Sequence, residues 1–221
     1  RIDASNIFNI NRLGLGNSLE AGESVTAGLN FSKEKKSIKD GITEIEEYID
    51  LSLATSFRFS KENNIPKNSS LNKKMSHIFG ELDFKPTKYL SLNYNFSIND
   101  DLNDLEYNNL VAKINYENFS TQFNFLEEKG IIGQTNVIEN ITKYSFNEEN
   151  FLSFKTRKNR DINLTEYYNL LYEYKNDCLV ASIKYEKNYY SDADIKPLEE
   201  LFFTITIVPL TTFSPDKMVL R

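Results

Sequence analysis

Residues 178–189 read CLVASIKYEKNY, and this stretch decides the fold class of the chain. Apolar side chains at positions 179, 181, 183, 185 and 189 share one face of an extended strand, and polar ones at 182, 184, 186 and 188 share the other. Alternation over about twelve residues exceeds the ~5–6 of a usual soluble strand and approaches the ~9–11 of a membrane strand. The stretch therefore predicts a long β-strand with one apolar and one polar face.

The same alternation recurs along the whole chain, and no segment with a helical period competes with it. It predicts eleven antiparallel strands: Ser24–Ser32, Leu51–Phe59, Ile78–Phe84, Leu90–Ile98, Leu110–Tyr116, Phe119–Glu127, Gln134–Phe146, Phe151–Arg157, Leu164–Tyr174, Cys178–Tyr189 and Leu201–Pro209. An earlier start of the second strand, at Ile45, also fits the pattern. The fold class predicted is all-β.

The predicted connections alternate strictly between short and long from Phe59 onward, with Lys33–Glu44 as the one long connection where a short one is expected. A transmembrane β-barrel with short periplasmic turns and long outer loops has this rhythm, whereas a sandwich with Greek-key crossovers has no reason to keep it. The sequence therefore favours part of an antiparallel up-and-down barrel. In this arrangement the turn at Cys178 is periplasmic, and Phe31, Phe57, Tyr94, Phe96, Ile183 and Ile205 point outward.

Composition limits the functions open to the chain. It has 221 residues, a net charge of -6, one Cys, one His and no Trp. No surplus of basic residues predicts a nucleic-acid partner, and no run approaches the ~18 apolar residues of a membrane helix. This composition fits either a soluble domain or a membrane barrel. The opening Arg1-Ile2-Asp3 suggests a piece of a longer protein.

Motifs of catalysis, cofactor binding and metal binding are not recognisable in the sequence. His77 has no carboxylate motif beside it that would orient a catalytic base, and a surface or loop histidine is the expected role. The acidic run Asn99–Asp104 lacks the glycine and the distal glutamate of a calcium loop, which predicts a solvated loop. We therefore expect neither an enzyme nor a bound cofactor or metal.

Four stretches resemble the LPS-assembly outer-membrane protein family, LptD. They are Glu173–Ala181 with its Tyr-x-Asn-Asp-Cys turn, Tyr189–Pro197, the hydrophobic Leu201–Thr206, and Asn6–Arg12. The resemblance implies that residues 1–221 are the C-terminal portion of a larger outer-membrane barrel, with 210–221 as a periplasmic tail. It also implies an outer-membrane translocon that inserts lipopolysaccharide into the outer leaflet. The glycines at 14, 16 and 22, with Asn and Ser around them, predict a structured loop over 1–22.

The same resemblance implies partners. These are lipopolysaccharide, the outer-membrane bilayer, a plug lipoprotein in the lumen (LptE-like), and a periplasmic bridge protein (LptA-like) reached through a missing N-terminal domain. In the family, cysteines of the turn that contains Cys178 bridge to that domain. Many members have two adjacent cysteines there, whereas this chain has Leu179, so one bridge at most is possible.

The family also implies that lipid leaves sideways between the first and last strands of the barrel. The residues expected to form this lateral gate lie on the predicted last strand: Leu201, Phe203, Ile205, Ile207 and Pro209. Pro209 lacks an N–H and would withhold one ladder bond, although it could equally end the strand. A porin or other passive channel, and a soluble β-sandwich binding module, remain as alternative functions.

Overall fold

A computed structural model describes residues 1–13, 20–39, 42–129, 134–190, 195–208, 211–213 and 218–220. These residues are almost entirely β-structure, apart from loops and a short 3-10 helix at Lys67–Ser69. In the part of the chain that the structure describes, no helix is long and apolar enough to cross a membrane. The strands are β1 (Ser24–Lys39), β2 (Ile42–Arg58), β3 (Ile78–Thr87), β4 (Leu90–Ile98), β5 (Leu105–Tyr116), β6 (Phe119–Lys129), β7 (Gln134–Ser145), β8 (Asn150–Asn159), β9 (Leu164–Lys175), β10 (Leu179–Asn188), β11 (Leu198–Ile207), β12 (Thr211–Phe213) and β13 (Met218–Leu220).

The strands follow one another in a single sheet in chain order, from β1 to β12, and β13 pairs with β11. Eleven of those described are long, from nine residues in β4 to 17 in β2. The eleven-stranded, all-β, up-and-down arrangement predicted from the sequence is therefore confirmed. A sheet with this order is what part of an up-and-down barrel requires.

The connection predicted at Lys33–Glu44 is wrong. β1 continues to Lys39 and β2 begins at Ile42, so the two strands form a hairpin of 16 and 17 residues. Charged side chains hide this extension in the sequence, because the alternation stops at Lys33 while the backbone ladder goes on to the Lys39–Ile42 pair. The first connection is thus short, as the barrel rhythm requires.

The strict alternation of short and long connections is wrong in the middle of the chain. The connections 130–133, 146–149 and 160–163 are equal in length, because β6 extends to Lys129 and β8 to Asn159. β5 likewise begins at Leu105 rather than at Leu110. The long loops that remain are 59–77 and 189–197, both on the side of the sheet that the rhythm assigns to the cell exterior.

The chain divides into two compact units, Arg1–Ala112 with Leu126–Thr135, and Lys113–Phe125 with Asn136–Arg221. In the first unit, β1 to β4 pair antiparallel in a register that gathers apolar side chains on one face. Two neighbouring rows on this face are Phe31, Leu51, Leu82 and Tyr94, and Leu29, Leu53, Gly80 and Phe96. Phe31 and Leu29 expose about half of their surface or more, at 52% and 61%.

The second unit repeats the arrangement in β7 to β11. One row across these strands consists of Tyr144, Leu152, Tyr172, Ile183 and Phe203, and the next of Thr142, Phe154, Leu170, Tyr185 and Leu201. Ile183 and Phe203 are 47% and 40% exposed. Strand alternation places these side chains on one face of the sheet and the charged ones on the other.

The first unit contains a small cluster of buried apolar residues. It consists of Ile2, Ala4, Ile7, Ala54, Ile65, Leu71 and Phe79. Because Ala54 and Phe79 alternate with Leu53 and Gly80, this core lies on the polar face of the sheet, opposite the exposed rows. None of the six residues predicted to point outward is in it, so the apolar rows do not meet in a sandwich core.

Candidate functional site

The apolar rows of each unit form a surface that is suited to hydrocarbon. In the first unit, Val25, Leu29 and Phe31 on β1 are more than half exposed, beside the partly exposed Phe57. Exposed apolar surface of this extent and regularity normally marks a membrane or protein contact. The charged residues of β1 begin only at Lys33, where the row of apolar side chains ends.

On the opposite face of the first unit, short polar side chains hydrogen-bond across and along the strands. Asn93 donates from Nδ2 to Asp83 (2.8 Å), and Asn95 donates to Asn93 (2.7 Å). Ser52 donates to Asn30 across β1 and β2 (3.1 Å). Such a face is stable when wet, because its polar groups bond both to one another and to water. It fits the lumen of a barrel better than lipid.

The polar face of the second unit is built from charged groups. Tyr167 donates to Glu139 (2.6 Å), and the Lys155 ammonium lies 3.1 Å from the same carboxylate. Along β10, Lys184 pairs with Glu186 at 2.6 Å. The charges compensate one another within the face.

A folded N-terminal segment occupies the polar face of the first unit. The Asp3 carboxylate accepts hydrogen bonds from the N–H groups of Ser5 and Asn6 (3.0 and 2.9 Å), and Ile7 N–H donates to the Asp3 carbonyl (3.2 Å). This tight turn brings Ile2, Ala4 and Ile7 into the core. Phe8 then lies over the backbone of Gly28, where an added Cβ would come within 2.6 Å of its ring.

An ionic cluster, here named the anchor network, fastens this segment to the sheet. It consists of Arg12, Glu20 and Arg58. Arg12 donates to both oxygens of Glu20 (2.6 Å each) and to Thr26 and Ser56 on β1 and β2. Arg58 pairs with the same carboxylate and donates to the backbone carbonyls of residues 21 and 71. The network therefore joins the N-terminal segment, the strand ends and the 59–77 loop.

All three members of the anchor network are withdrawn from solvent. The side chains of Arg12 and Arg58 are 6% and 2% exposed, and that of Glu20 is 11% exposed. Burial lowers the pKa of Arg12 from its ordinary value. One carboxylate between two guanidinium groups gives strong directional bonds, since the Arg12 pair is bidentate.

Beside the core lies a cavity of about 830 Å³, whose lining includes the polar side chains of Arg12, Lys73, His77, Ser97 and Glu106. Lys73 pairs with Asp100 at 3.0 Å and Lys129 with Asp104, which ties the 99–104 loop to this end of the first unit. The acidic run predicted to be a solvated loop thus forms ion pairs. Within the described ranges, no cluster of His, Cys, Asp and Glu is arranged to hold a metal ion.

His77 is half-buried directly before β3, where its backbone N–H donates to Ser70 Oγ (3.0 Å) and its Nδ1 lies 3.3 Å from Ser97 Oγ. Burial lowers the pKa of His77, and the nearby Lys73 lowers it further. The position is structural: the ring packs near Phe79 with centroids 6.4 Å apart.

Cys178 lies in a turn built by Asn176. The Asn176 Oδ1 accepts hydrogen bonds from the N–H groups of Cys178 (3.0 Å) and Leu179 (2.8 Å), while Asn176 Nδ2 donates to Tyr174. The Cys178 thiol is free and exposed. The turn therefore presents a thiol to solvent at the end of the second unit where the short turns 117–118, 146–149 and 176–178 lie.

β11 pairs with β10 along its whole length, from Leu198 opposite Asn188 to Ile207 opposite Leu179. Of the gate residues predicted here, Leu201, Phe203, Ile205 and Ile207 share one face, and Phe203 and Ile207 are exposed. Pro209, the fifth, lies outside the described residues. On its other edge β11 pairs with β12 at Ile205–Ile207 and with β13 at Glu199–Leu201.

The described geometry is thus that of a sheet with a lipid-compatible face and a wet face. Comparison with known families agrees: the family model described as LptD, LPS transport system D, matches residues 1–142.

The chain belongs to the LptD family. Its function therefore lies in the transport and assembly of lipopolysaccharide at the outer membrane, together with other proteins of that transport system. A comparison with curated proteins found no match for the chain. The match to LptD covers the N-terminal segment, β1 to β6 and most of β7, whereas the motifs that first indicated the family are mostly in the remaining third.

Within this LptD chain, the anchor network was not predicted from the sequence. Arg12 belongs to the stretch Asn6–Arg12 that resembles the family, but nothing in its spacing points to Glu20 or Arg58. The sequence feature that could have indicated it is composition. Asp3, Asn6 and Arg12 lie among alternating apolar residues, and such polar side chains favour a loop that bonds to its own backbone.

Proposed function

We propose that this chain forms the part of an outer-membrane barrel at which lipopolysaccharide leaves sideways, with β11 as one side of the exit. The observation that supports this is the difference between the two edges of β11. One edge pairs with β10 over ten residues, whereas in the part of the chain that the structure describes the other edge is covered by two strands of three residues each. Strands this short hold an edge with fewer ladder bonds than a long strand does, so they can part from it at lower cost, which a lateral exit for lipid requires.

The two faces of the sheet supply the rest of the mechanism. The wet face lines the path of the sugar portion, and the apolar rows hold the protein in hydrocarbon. Acyl chains pass from the lumen to the bilayer where β11 opens. The chain performs no covalent chemistry in this scheme, so the energy for transport comes from the rest of the system.

The partners that fit this role are a plug lipoprotein in the lumen (LptE-like) and a periplasmic bridge protein (LptA-like). The plug would rest on the polar face, which offers amide and carboxylate groups such as those of Asn93 and Asp83. The bridge would bind a periplasmic domain outside this chain, and the Cys178 turn faces the same compartment.

Cys178 is proposed to form a disulfide with that periplasmic domain. Its thiol is exposed in a turn whose backbone is fixed by Asn176, so the sulfur is held in position for a partner. A thiol in an oxidising compartment is normally paired. Full-length protein should migrate differently on a non-reducing gel from its Cys178→Ser variant, and the two should migrate alike after reduction. Identical mobility before reduction would contradict the proposed bridge.

The lateral exit is tested by locking the edge of β11. A cysteine at Thr204, in the middle of β11, is combined with one on the first strand of the full-length barrel. The control places the pair at Ser182 and Thr204, which face each other across β10 and β11 and do not bridge the exit. We expect the first lock to abolish surface lipopolysaccharide, with recovery on reduction, and the control to leave it normal. Normal surface lipopolysaccharide with the first lock fully formed would refute the lateral exit.

A further inference from the structure

The cavity beside the core of the first unit is lined by more basic side chains than acidic ones. Among the described residues, five lysine and arginine side chains line it, against the two carboxylates of Glu106 and Glu128. Its volume of about 830 Å³ lies within the ~300–1,000 Å³ that is usual for sites that bind small molecules. Charge and size therefore favour a small anion, or the anionic part of a larger molecule, as its occupant.

Two of the basic residues that line the cavity, Lys73 and Lys129, come from separate parts of the chain. Lys73 lies in the 59–77 loop, and Lys129 is the last residue of β6. Each is paired with an aspartate, Asp100 and Asp104 respectively, and neither aspartate belongs to the cavity lining. The two lysines therefore contact the cavity and an internal carboxylate at the same time.

Both aspartates belong to the 99–104 loop, which is folded by its own hydrogen bonds. The Asn99 carbonyl accepts from the Leu102 N–H (3.0 Å), and Asn99 Oδ1 accepts from the Asn103 N–H (3.1 Å). The Asn99 N–H donates to the Asp104 carbonyl (3.0 Å). None of these three bonds involves a carboxylate, so the loop can keep its shape when the ion pairs separate.

The two ion pairs are weak enough to be exchanged for another partner. Their four side chains are between 34% and 47% exposed, and ion pairs exposed to this extent contribute little because water and salt compete with them. A carboxylate carries one negative charge, whereas a phosphate monoester carries ~1.5–2 at pH 7 and offers three acceptor oxygens. Lysine binds phosphate as a point charge. A phosphate group in the cavity is therefore a stronger partner for these lysines than the aspartates are.

We propose that the cavity binds the phosphate group of a phosphorylated sugar, and that Asp100 and Asp104 occupy Lys73 and Lys129 until this group displaces them. The inference rests on the proposed function for the sugar, because the scheme passes the sugar portion of lipopolysaccharide along the wet face, whereas the charges of the cavity favour the phosphate. It adds a place at which the substrate is held. It also adds an internal competitor, which keeps binding weak enough for release.

The first test measures the protection of single lysines in full-length protein in detergent. Acetylation of amines, read by mass spectrometry, is followed at Lys73, at Lys129 and at Lys74, an exposed neighbour outside the cavity lining. Lipopolysaccharide and glucosamine 6-phosphate should each reduce acetylation of Lys73 and Lys129 several-fold and leave Lys74 unchanged. Protection by one of them alone supports the site and identifies the phosphate as lipid-borne or free. The site is overturned if neither protects the two lysines, or if glucosamine without phosphate protects them equally.

The second test concerns the competition by the aspartates. Asp100→Asn combined with Asp104→Asn should raise the affinity for glucosamine 6-phosphate roughly tenfold, because two exposed ion pairs no longer compete. Lys73→Gln should lower this affinity, and Asp101→Asn, at an exposed position of the same loop, should leave it unchanged. If the aspartates only tie the loop down, their removal leaves the affinity unchanged or lowers it, which would overturn the displacement.

These binding measurements separate the inference from the lateral exit, because binding to the cavity does not require the edge of β11 to open. Loss of surface lipopolysaccharide with the exit locked at Thr204, together with no protection of Lys73 and Lys129, would refute the anion site and leave the lateral exit standing. Normal surface lipopolysaccharide with the exit locked, together with protection of both lysines, would refute the lateral exit and leave the anion site standing.

Discussion

At the scale of single residues, the anchor network shows how three charged side chains fasten the N-terminal segment to the sheet, in addition to the apolar contacts of Ile2, Ala4 and Ile7. Arg12 and Arg58 share the Glu20 carboxylate, and each also bonds to strand or loop groups. A buried ionic cluster of this kind contributes less to net stability than to fixing one arrangement, since desolvation offsets much of the attraction. Removing one partner is different, because it leaves the others buried without compensation.

We therefore predict that Glu20→Gln loosens the N-terminal segment. Two guanidinium groups would remain buried without a carboxylate, at a cost of about 3 kcal/mol. This corresponds to roughly a hundredfold faster hydrogen exchange of the N–H groups in residues 1–13. The control is Glu23→Gln, which removes an exposed carboxylate three residues away. Equal exchange rates in the two variants would show that the network does not hold the segment.

The lowered pKa of His77 predicts that the stability of the neighbouring 59–77 loop depends on pH. Because burial and Lys73 lower its folded pKa, the folded protein binds fewer protons there than the unfolded chain does. Stability from this residue is complete above the ordinary pKa of about 6.5 and is lost progressively as pH falls toward the lowered folded value. Proteolysis of the 59–77 loop should accelerate between about pH 7.5 and about pH 5.

A His77→Gln variant gives the control for that dependence. It retains a side chain able to bond to Ser97 but has no proton to gain in this range. Asp100 is also nearby, yet its pKa is lowered by a hydrogen bond from Lys73, so it stays charged throughout. The acceleration should vanish in the variant, and an unchanged pH profile would assign it to another group.

At the scale of elements, the sequence predicts the strands well where alternation is unbroken and poorly where charged or amide residues interrupt it. Leu90–Ile98 has the same bounds in the structure as in the prediction. The sequence pattern ends β1 before the charged residues Lys33–Lys36 and begins β5 only after the amides Asn108 and Asn109, although both strands include these residues in the structure. Alternation reports which face is apolar, whereas backbone pairing needs no apolar side chain at all.

The polar-face core could not be predicted for a related reason. Ile65 and Leu71 come from a loop, and Ile2 and Ile7 from a segment whose fold depends on Asp3. Their burial arises from contacts between distant parts of the chain rather than from a repeating pattern. The exposed turn around Cys178, in contrast, is local, and its Asn-Asp sequence already predicts it.

The two faces of β1 give a prediction at this scale. Leu29 lies in an apolar row beside Leu53, while its neighbour Asn30 bonds to Ser52 on the other face. Leu29→Lys should cost about 2–4 kcal/mol if its face meets the middle of the bilayer, and Asn30→Lys should cost little. The yield of folded full-length barrel, measured by heat-modifiable gel mobility, checks this. Equal yields would mean that the apolar row is not in hydrocarbon.

At the scale of the whole molecule, the placement of apolar surface predicts behaviour in solution. The exposed rows of both units do not enter the small buried core among the described residues. We expect the protein to require detergent or lipid to remain monodisperse, because uncovered apolar rows associate in water. Size-exclusion chromatography with and without detergent measures whether the protein is monodisperse. A monodisperse protein without detergent would support a soluble module instead.

The β1–β2 hairpin is longer than a bilayer is thick. At ~3.3 Å per residue its 16-residue strand spans about 50 Å, or about 40 Å when tilted, against a hydrocarbon layer of about 30 Å. The apolar pairs Val25–Phe57, Leu29–Leu53 and Phe31–Leu51 lie in the first half of β1, and lysine and glutamate residues follow from Lys33. The hairpin therefore offers a measure of depth in the membrane. The residue pair at which amide protons begin to exchange with water marks the membrane surface. A shift of this boundary along the hairpin would report local thinning of the bilayer.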